Sequence, residues 1–128
     1  EVVKVCQKHL PKICGEVKAN NNVKTYWGDA FESIKKVKDS KYDKIFVDLN
    51  DDQFCIDLAA KNMKGLKRIL KPGGVITAQV GCLSKKPKQI KNWMGVLENS
   101  FGNVELSETF IPSFDCRWNF ASSLFKSN

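Results

Sequence analysis

Asp48, Asp51 and Asp52 come directly after an apolar run, Ile45-Phe46-Val47, in the stretch "KIFVDLNDD". Carboxylates crowded at the end of a buried-looking strand cost stability unless something positive or hydrogen-bonding meets them. Such acids can cap a following helix, attract a cation, or take a proton from a reacting group. Asp51 and Asp52 stand just before an expected helix start, so capping accounts for them as well as binding does. Two more polar side chains follow or close strand-like runs: Asp29 comes after "NVKTYWG" and Gln79 closes "VITAQ". In α/β proteins ligands sit beyond the carboxyl ends of the strands. Asp29, Asp48 and Gln79 then arrive at one sheet edge from separate strands. The expected chemistry is a carboxylate-rich crevice for a cationic ligand.

Metal and thiol chemistry find less support. Cys6, Cys14, Cys55, Cys82 and Cys116 are scattered without a C-x-x-C pair, and His9, the one histidine, has no Cys or acid at ligand spacing. Neither a zinc site nor a disulfide framework is expected, and scattered free thiols suggest a reducing compartment such as the cytosol or nucleus, with the cytoplasm the expected location.

The elements that must position these side chains follow from periodicity. The chain has 128 residues, 42% of them apolar, enough for one domain with a core. No apolar run has the length of a membrane span, and no signal peptide opens the sequence. Glu1, not Met, comes first, so a piece of a longer chain is expected. The spacing of Val2, Val3, Cys6 and Leu10 predicts a helix over 1–10. Alternation predicts a strand over Val23–Trp27, and "GDAFESIKKV" a short helix carrying Phe31 and Ile34. "KIFVD" reads as a strand of a parallel sheet covered on both faces. A helix over Phe54–Leu70 turns Ile56, Leu58, Ala59, Met63, Leu66 and Leu70 inward, and "KPGG" stops it. "VITAQVG" is the next strand. A helix from Pro87 to Phe101 puts Ile90, Trp93, Met94, Leu97 and Phe101 on one face, and "NVELSETFI" and "WNFASSLF" form an antiparallel pair. Trp27 and Trp93 are read as core, His9 as surface. Alternating strands and helices give an α/β sandwich with a mainly parallel sheet. The formal net charge is +7, with lysines gathered in Ser33–Lys44 and Ser84–Lys91. Those clusters hold no Arg and no aromatic platform for stacking bases, so they are read as solvated faces with no specific nucleic-acid partner.

Four segments, "GDAF" (Gly28–Phe31), "YDKIFVDLNDD" (Tyr42–Asp52), "LKRILKPGGVITAQVG" (Leu66–Gly81) and "FIPSFDCRW" (Phe110–Trp118), resemble in this order the carboxyl-terminal part of the aminopropyltransferases, the spermidine and spermine synthase family. The last is similar to the signature of the spermine and thermospermine branch. "CQKHLPKICG" (Cys6–Gly15) resembles a run of animal spermine synthases. "GDA" and "KPGG" alone are shared with methyltransferases; the ordered set is more specific. The resemblance implies transfer of an aminopropyl group from decarboxylated S-adenosylmethionine, a co-substrate, to putrescine or spermidine, with no cofactor and no metal. It implies that Asp48 orients the attacking amine and accepts its proton, that Asp51 is a second acid, and that Gln79 hydrogen-bonds a substrate amine. Phe114 stands where many members have Tyr, and Trp118 walls the polyamine channel. Asp29, with the Ala30 backbone beside it, takes the exocyclic amine of adenine. A Rossmann-like, methyltransferase-type fold is implied, and a homodimer in the full-length protein.

The family's G-G-G-D-G loop and the acid on its following strand, which hold the methionine-derived tail and the ribose, are not among these residues. "DQFCIDLAAKN" stands where the family carries a gate loop with Pro and Gly. Residues 1–128 are therefore expected to form a single, incomplete catalytic domain, its N-terminal strands and glycine loop missing and its activity lost in isolation. The missing strands would lie between the strand ending at Trp27 and the one ending at Asp48. A methyltransferase of the same fold and a non-catalytic relative stay open as alternatives.

Overall fold

The computed structural model describes residues 1–14, 22–50 and 52–126. They fall into two compact units, Glu1–Ala30 and Phe31–Asn128. In the first, α1 (Val2–His9) is the helix expected over 1–10, and a further short helix, α2 (Pro11–Cys14), follows it. Leu10 N–H still bonds Cys6 O at 2.7 Å. Pro11 has no N–H to continue that ladder and opens the next short helix instead. His9 is exposed, as expected. Val23–Trp27 is not a strand, and Trp27, expected in the core, is 71% exposed. Alternation describes a two-faced segment, but a strand persists only by exchanging hydrogen bonds with a neighbour. Among the described residues the first unit holds no second strand.

Helix α3 (Ala30–Ile34) begins at the last residue of that unit. The second unit continues with β1 (Tyr42–Val47), α4 (Gln53–Ile69), β2 (Leu70–Cys82), α5 (Pro87–Phe101), β3 (Val104–Ile111), a 3-10 turn at Pro112–Phe114 and β4 (Cys116–Leu124). The sheet order is β1-β2-β4-β3, with β1 parallel to β2 and β4 antiparallel to both neighbours. Three strands thus run one way, and β4, the return arm of a hairpin, slots between β2 and β3. Helices α4 and α5 bury Ile56, Ala59, Met63, Leu66, Ile90, Trp93, Leu97 and Phe101 against Ile76, Ala78, Val80 and Ala121 of the sheet. Full burial of one such aliphatic side chain stabilises by about 1.5–3 kcal/mol.

Two local expectations are corrected. Among the described residues the second unit covers only one face of β1: Val47 is buried but Phe46 is 74% exposed. An unbroken apolar run identifies a strand without saying what packs on it. "KPGG" is not a link between helix and strand, because β2 starts directly at Leu70. Tyr42 pairs with Leu70 but Lys44 with Val75, so Lys71-Pro72-Gly73-Gly74 bow out of register. Lys71 Nζ meets Asp43 Oδ1 across the bow at 2.8 Å. Gly74 is required at its base, where an added Cβ would lie 2.7 Å from Leu70 Cδ1, 2.8 Å from Lys71 O and 2.9 Å from Asp43 O.

Candidate active site

Strand register assembles the site. Parallel pairing of Val47 with Ala78 puts the next residues, Asp48 and Gln79, side by side; Asp48 directly follows β1, whereas Gln79, expected to close its strand, lies three residues inside β2, which continues to Cys82. On antiparallel β4, Phe120 lies opposite Gln79 and Trp118 opposite Cys82, with a register shift between Gln79 and Gly81. A bulge of this kind bends the strand and re-aims side chains at a sheet rim. The turn before β4 ends at Asp115, whose backbone is left-handed at φ 45. It brings Phe114 back over Trp118, with ring centroids 4.4 Å apart and planes tilted by 39°. Asp48, Leu49, Gln79, Phe114, Trp118 and Phe120 line one concavity of about 580 Å³.

The acids separate by function. Asp52 is the N-cap of α4, its carboxylate accepting the Cys55 N–H at 2.8 Å. Desolvation, and then the Asp52 carboxylate, push the Cys55 thiol above its ordinary range, which makes it a poor nucleophile at neutral pH. Asp48 is exposed at the concavity and, among the described residues, has no hydrogen-bond or ion-pair partner. Asp51 lies outside the described residues. An open carboxylate and an aromatic wall on one concavity suit a chain of methylenes carrying ammonium groups.

Both ends of the Gln79 carboxamide are engaged. Its Nε2 donates to Leu49 O, and its Oε1 accepts from Trp118 Nε1 at 2.8 Å. A carbonyl oxygen only accepts and an indole N–H only donates, so the partners fix which end is which. The structure thus brings together Asp48, Gln79, Phe114 and Trp118. Asp29 and Ala30 belong to the first unit, where Asp29 immediately precedes α3 and Ala30 opens it. Leu49 and Phe120 were not singled out from sequence. Phe120 was within reach, since it sits two residues from Trp118 on the same face of a strand.

Cys82 and Cys116 correct the expectation that the thiols are all free: they form a disulfide, with Cα atoms 6.3 Å apart. Cys82 ends β2 and Cys116 opens β4, and only the pairing of those strands makes them neighbours. Cys6 and Cys55 are free. Among the described residues no group of three or more His, Cys, Asp or Glu is placed to hold a metal ion. Nor is any described helix long and apolar enough to cross a membrane.

Residues 1–127 match the spermine/spermidine synthase domain. The chain belongs to this family. A polyamine aminopropyltransferase of Prochlorococcus marinus (strain MIT 9215) is 32% identical over 132 residues, covering 96% of this chain and 45% of the relative. Polyamine aminopropyltransferase 1 of Hyperthermus butylicus is 28% identical over 120 residues, covering 89% of this chain and 41% of the relative. A spermidine synthase solved in complex with the transition-state analogue AdoDATO has a TM-score of 0.83 and 16% identity, over 99% of this chain and 44% of that one. The family's Rossmann-like, methyltransferase-type fold is therefore shared. The chain spans less than half the length of the curated relatives it matches.

Proposed function

We propose that the protein carrying this chain transfers an aminopropyl group from decarboxylated S-adenosylmethionine to putrescine or spermidine. The observation that carries the reading is the concavity that sets the unpartnered carboxylate of Asp48 beside the aromatic wall of Phe114 and Trp118, in a chain of the spermine/spermidine synthase family. A polyamine is cationic at intervals and apolar between them, and this lining offers both complements. Asp48 orients the attacking amine and takes its proton, since only the free base has a lone pair to attack with. That lone pair forms a C–N bond to the propyl carbon next to sulfur. The C–S bond breaks, its electron pair stays on the former sulfonium, and methylthioadenosine leaves as a neutral thioether. Placement of the two substrates supplies much of the rate, with no cofactor and no metal.

Asp51 serves as a second acid toward the acceptor, and Asp29 with the Ala30 backbone takes the adenine of the donor. Gln79 has one lone pair left on Oε1 for a substrate amine. The full-length protein works as a homodimer, in the cytoplasm, a placement that the free Cys6 and Cys55 support among the described residues. Any binding of the lysine clusters to nucleic acid is weak, indifferent to sequence and lost steeply with salt. The test incubates the protein in its full natural sequence with decarboxylated S-adenosylmethionine and each acceptor in turn. A longer polyamine and methylthioadenosine are expected in equal amounts, with no methyl transfer from S-adenosylmethionine and no product from residues 1–128 alone. No product with either acceptor, or methyl transfer instead, refutes the reading.

A further inference from the structure

We propose that Gln79 is a positioning residue whose carboxamide ties the loop after Asp48 to the indole of Trp118, holding carboxylate and aromatic wall at a set spacing before an amine enters. The inference rests on the aminopropyl-transfer reading for its kinetic consequences but not for its geometry. Leu49 follows Asp48 directly, and its carbonyl receives the Gln79 Nε2. Trp118 Nε1–H reaches Gln79 Oε1 at 2.8 Å, and Trp118 in turn stacks on Phe114 with centroids 4.4 Å apart. One planar group therefore connects three consecutive features of the concavity across β1, β2 and β4. A carboxamide can do so at neutral pH where an ionised carboxylate of the same length cannot, because the bridge needs a donor at one end and an acceptor at the other. An ionised Glu keeps the acceptor for Trp118 but presents a second oxygen to the Leu49 carbonyl. Met fills the space and makes neither bond.

The residue's two candidate roles differ in what Gln79→Glu does. A carboxylate is a stronger acceptor for an ammonium than a carboxamide is, so a residue acting by touching the amine would bind acceptor as well or better after Gln79→Glu. As a bridge, Gln79→Glu releases the Leu49 end, and kcat/KM for the acceptor is expected to fall roughly tenfold or more, with KM for the donor unchanged. Where Gln79→Glu does not fold, Gln79→Met and Trp118→Phe decide by a double-mutant cycle. The bridge makes the double variant about as impaired as the worse single one, whereas independent contributions multiply. A readout that needs no activity is the Trp118 indole N–H signal in protein labelled with ¹⁵N-tryptophan, assigned through Trp118→Phe. It is expected to shift and to exchange faster with solvent in folded Gln79→Met, which has no acceptor for the indole. If the unsubstituted protein transfers no aminopropyl group, the functional reading fails and the indole signal alone decides the bridge. An unmoved indole signal, unimpaired acceptor kinetics in Gln79→Glu, or a multiplicative cycle overturns the proposal.

Discussion

Asp48→Asn keeps the shape of the side chain and removes its charge, which separates electrostatics from packing. At a 4 Å approach an ammonium gains roughly 1 kcal/mol from a carboxylate in water and about 4 kcal/mol at an effective dielectric near 20. Asp48 is exposed on the open side of its concavity, so the gain falls between those limits. About 1.4–2.8 kcal/mol corresponds to a ten- to hundredfold weaker hold on the acceptor. Loss of the proton acceptor adds a factor of about 100 to 10,000 to the chemical step. In the protein with its full natural sequence, kcat is expected to fall at least about a hundredfold and kcat/KM for the acceptor further still. The donor's KM is expected to stay unchanged, since the contact proposed for the adenine is Asp29 and not Asp48. Stability is expected to move by no more than about 0.5 kcal/mol, because Asp52, not Asp48, caps α4. Initial rates at saturating donor and varied acceptor, with a thermal melt on the same preparation, measure all of this. Near-normal turnover in a folded Asp48→Asn protein would refute the catalytic assignment. A melting point lowered by several degrees with turnover spared would make Asp48 structural.

Other sites give sharp outcomes. Gly74→Ala is expected to cost about 1–3 kcal/mol, seen as a lower melting point, because the new methyl meets two backbone oxygens inside 3.0 Å; an unchanged melt would mean that the bow relaxes freely. Asp52→Ala is expected to cost about 1 kcal/mol through the lost cap, with turnover of the folded protein kept; lost turnover at full stability would instead make Asp52 part of the site. The Lys71 ammonium holds the Asp43 carboxyl below its ordinary 3.8 by hydrogen bond and charge. A depressed folded value means that the pair stabilises above the unfolded value and that the contribution disappears as pH falls through the folded one. Asp43→Asn is therefore expected to flatten the acid limb of a stability–pH curve below about pH 4. The effect is small and shrinks with salt because both side chains are solvated, and an identical acid limb in the variant refutes the pair's role.

Much of the molecule is legible one element at a time. Helix α5 reads correctly from Pro87 to Phe101, because a proline at the start and a helical apolar stripe are local signals. Asp48 is legible as a polar side chain at a strand end for the same reason, since an apolar run stops there, whereas β2 runs on past Gln79 through buried Val80 to Cys82. Val23–Trp27 shows the limit, since alternation is local but a strand needs a partner from elsewhere in the chain. Which carboxylate caps α4 and which stands open depends on the path of the loop into the helix, and several acids within a few residues are indistinguishable to a pattern. The site itself is a product of pairing. Asp48 meets Gln79 through the Val47–Ala78 register, and Gln79 meets Trp118 because β4 inserts between β2 and β3 with a bulge beside Gly81. Cys82 and Cys116, separated by 34 positions, meet through the same insertion. The sequence by itself determines which side chains can do the chemistry and on which elements they lie, because composition and periodicity act over a few residues. Only the tertiary structure decides which of them share one concavity, because register between strands depends on hydrogen bonds and side-chain packing between segments far apart along the chain.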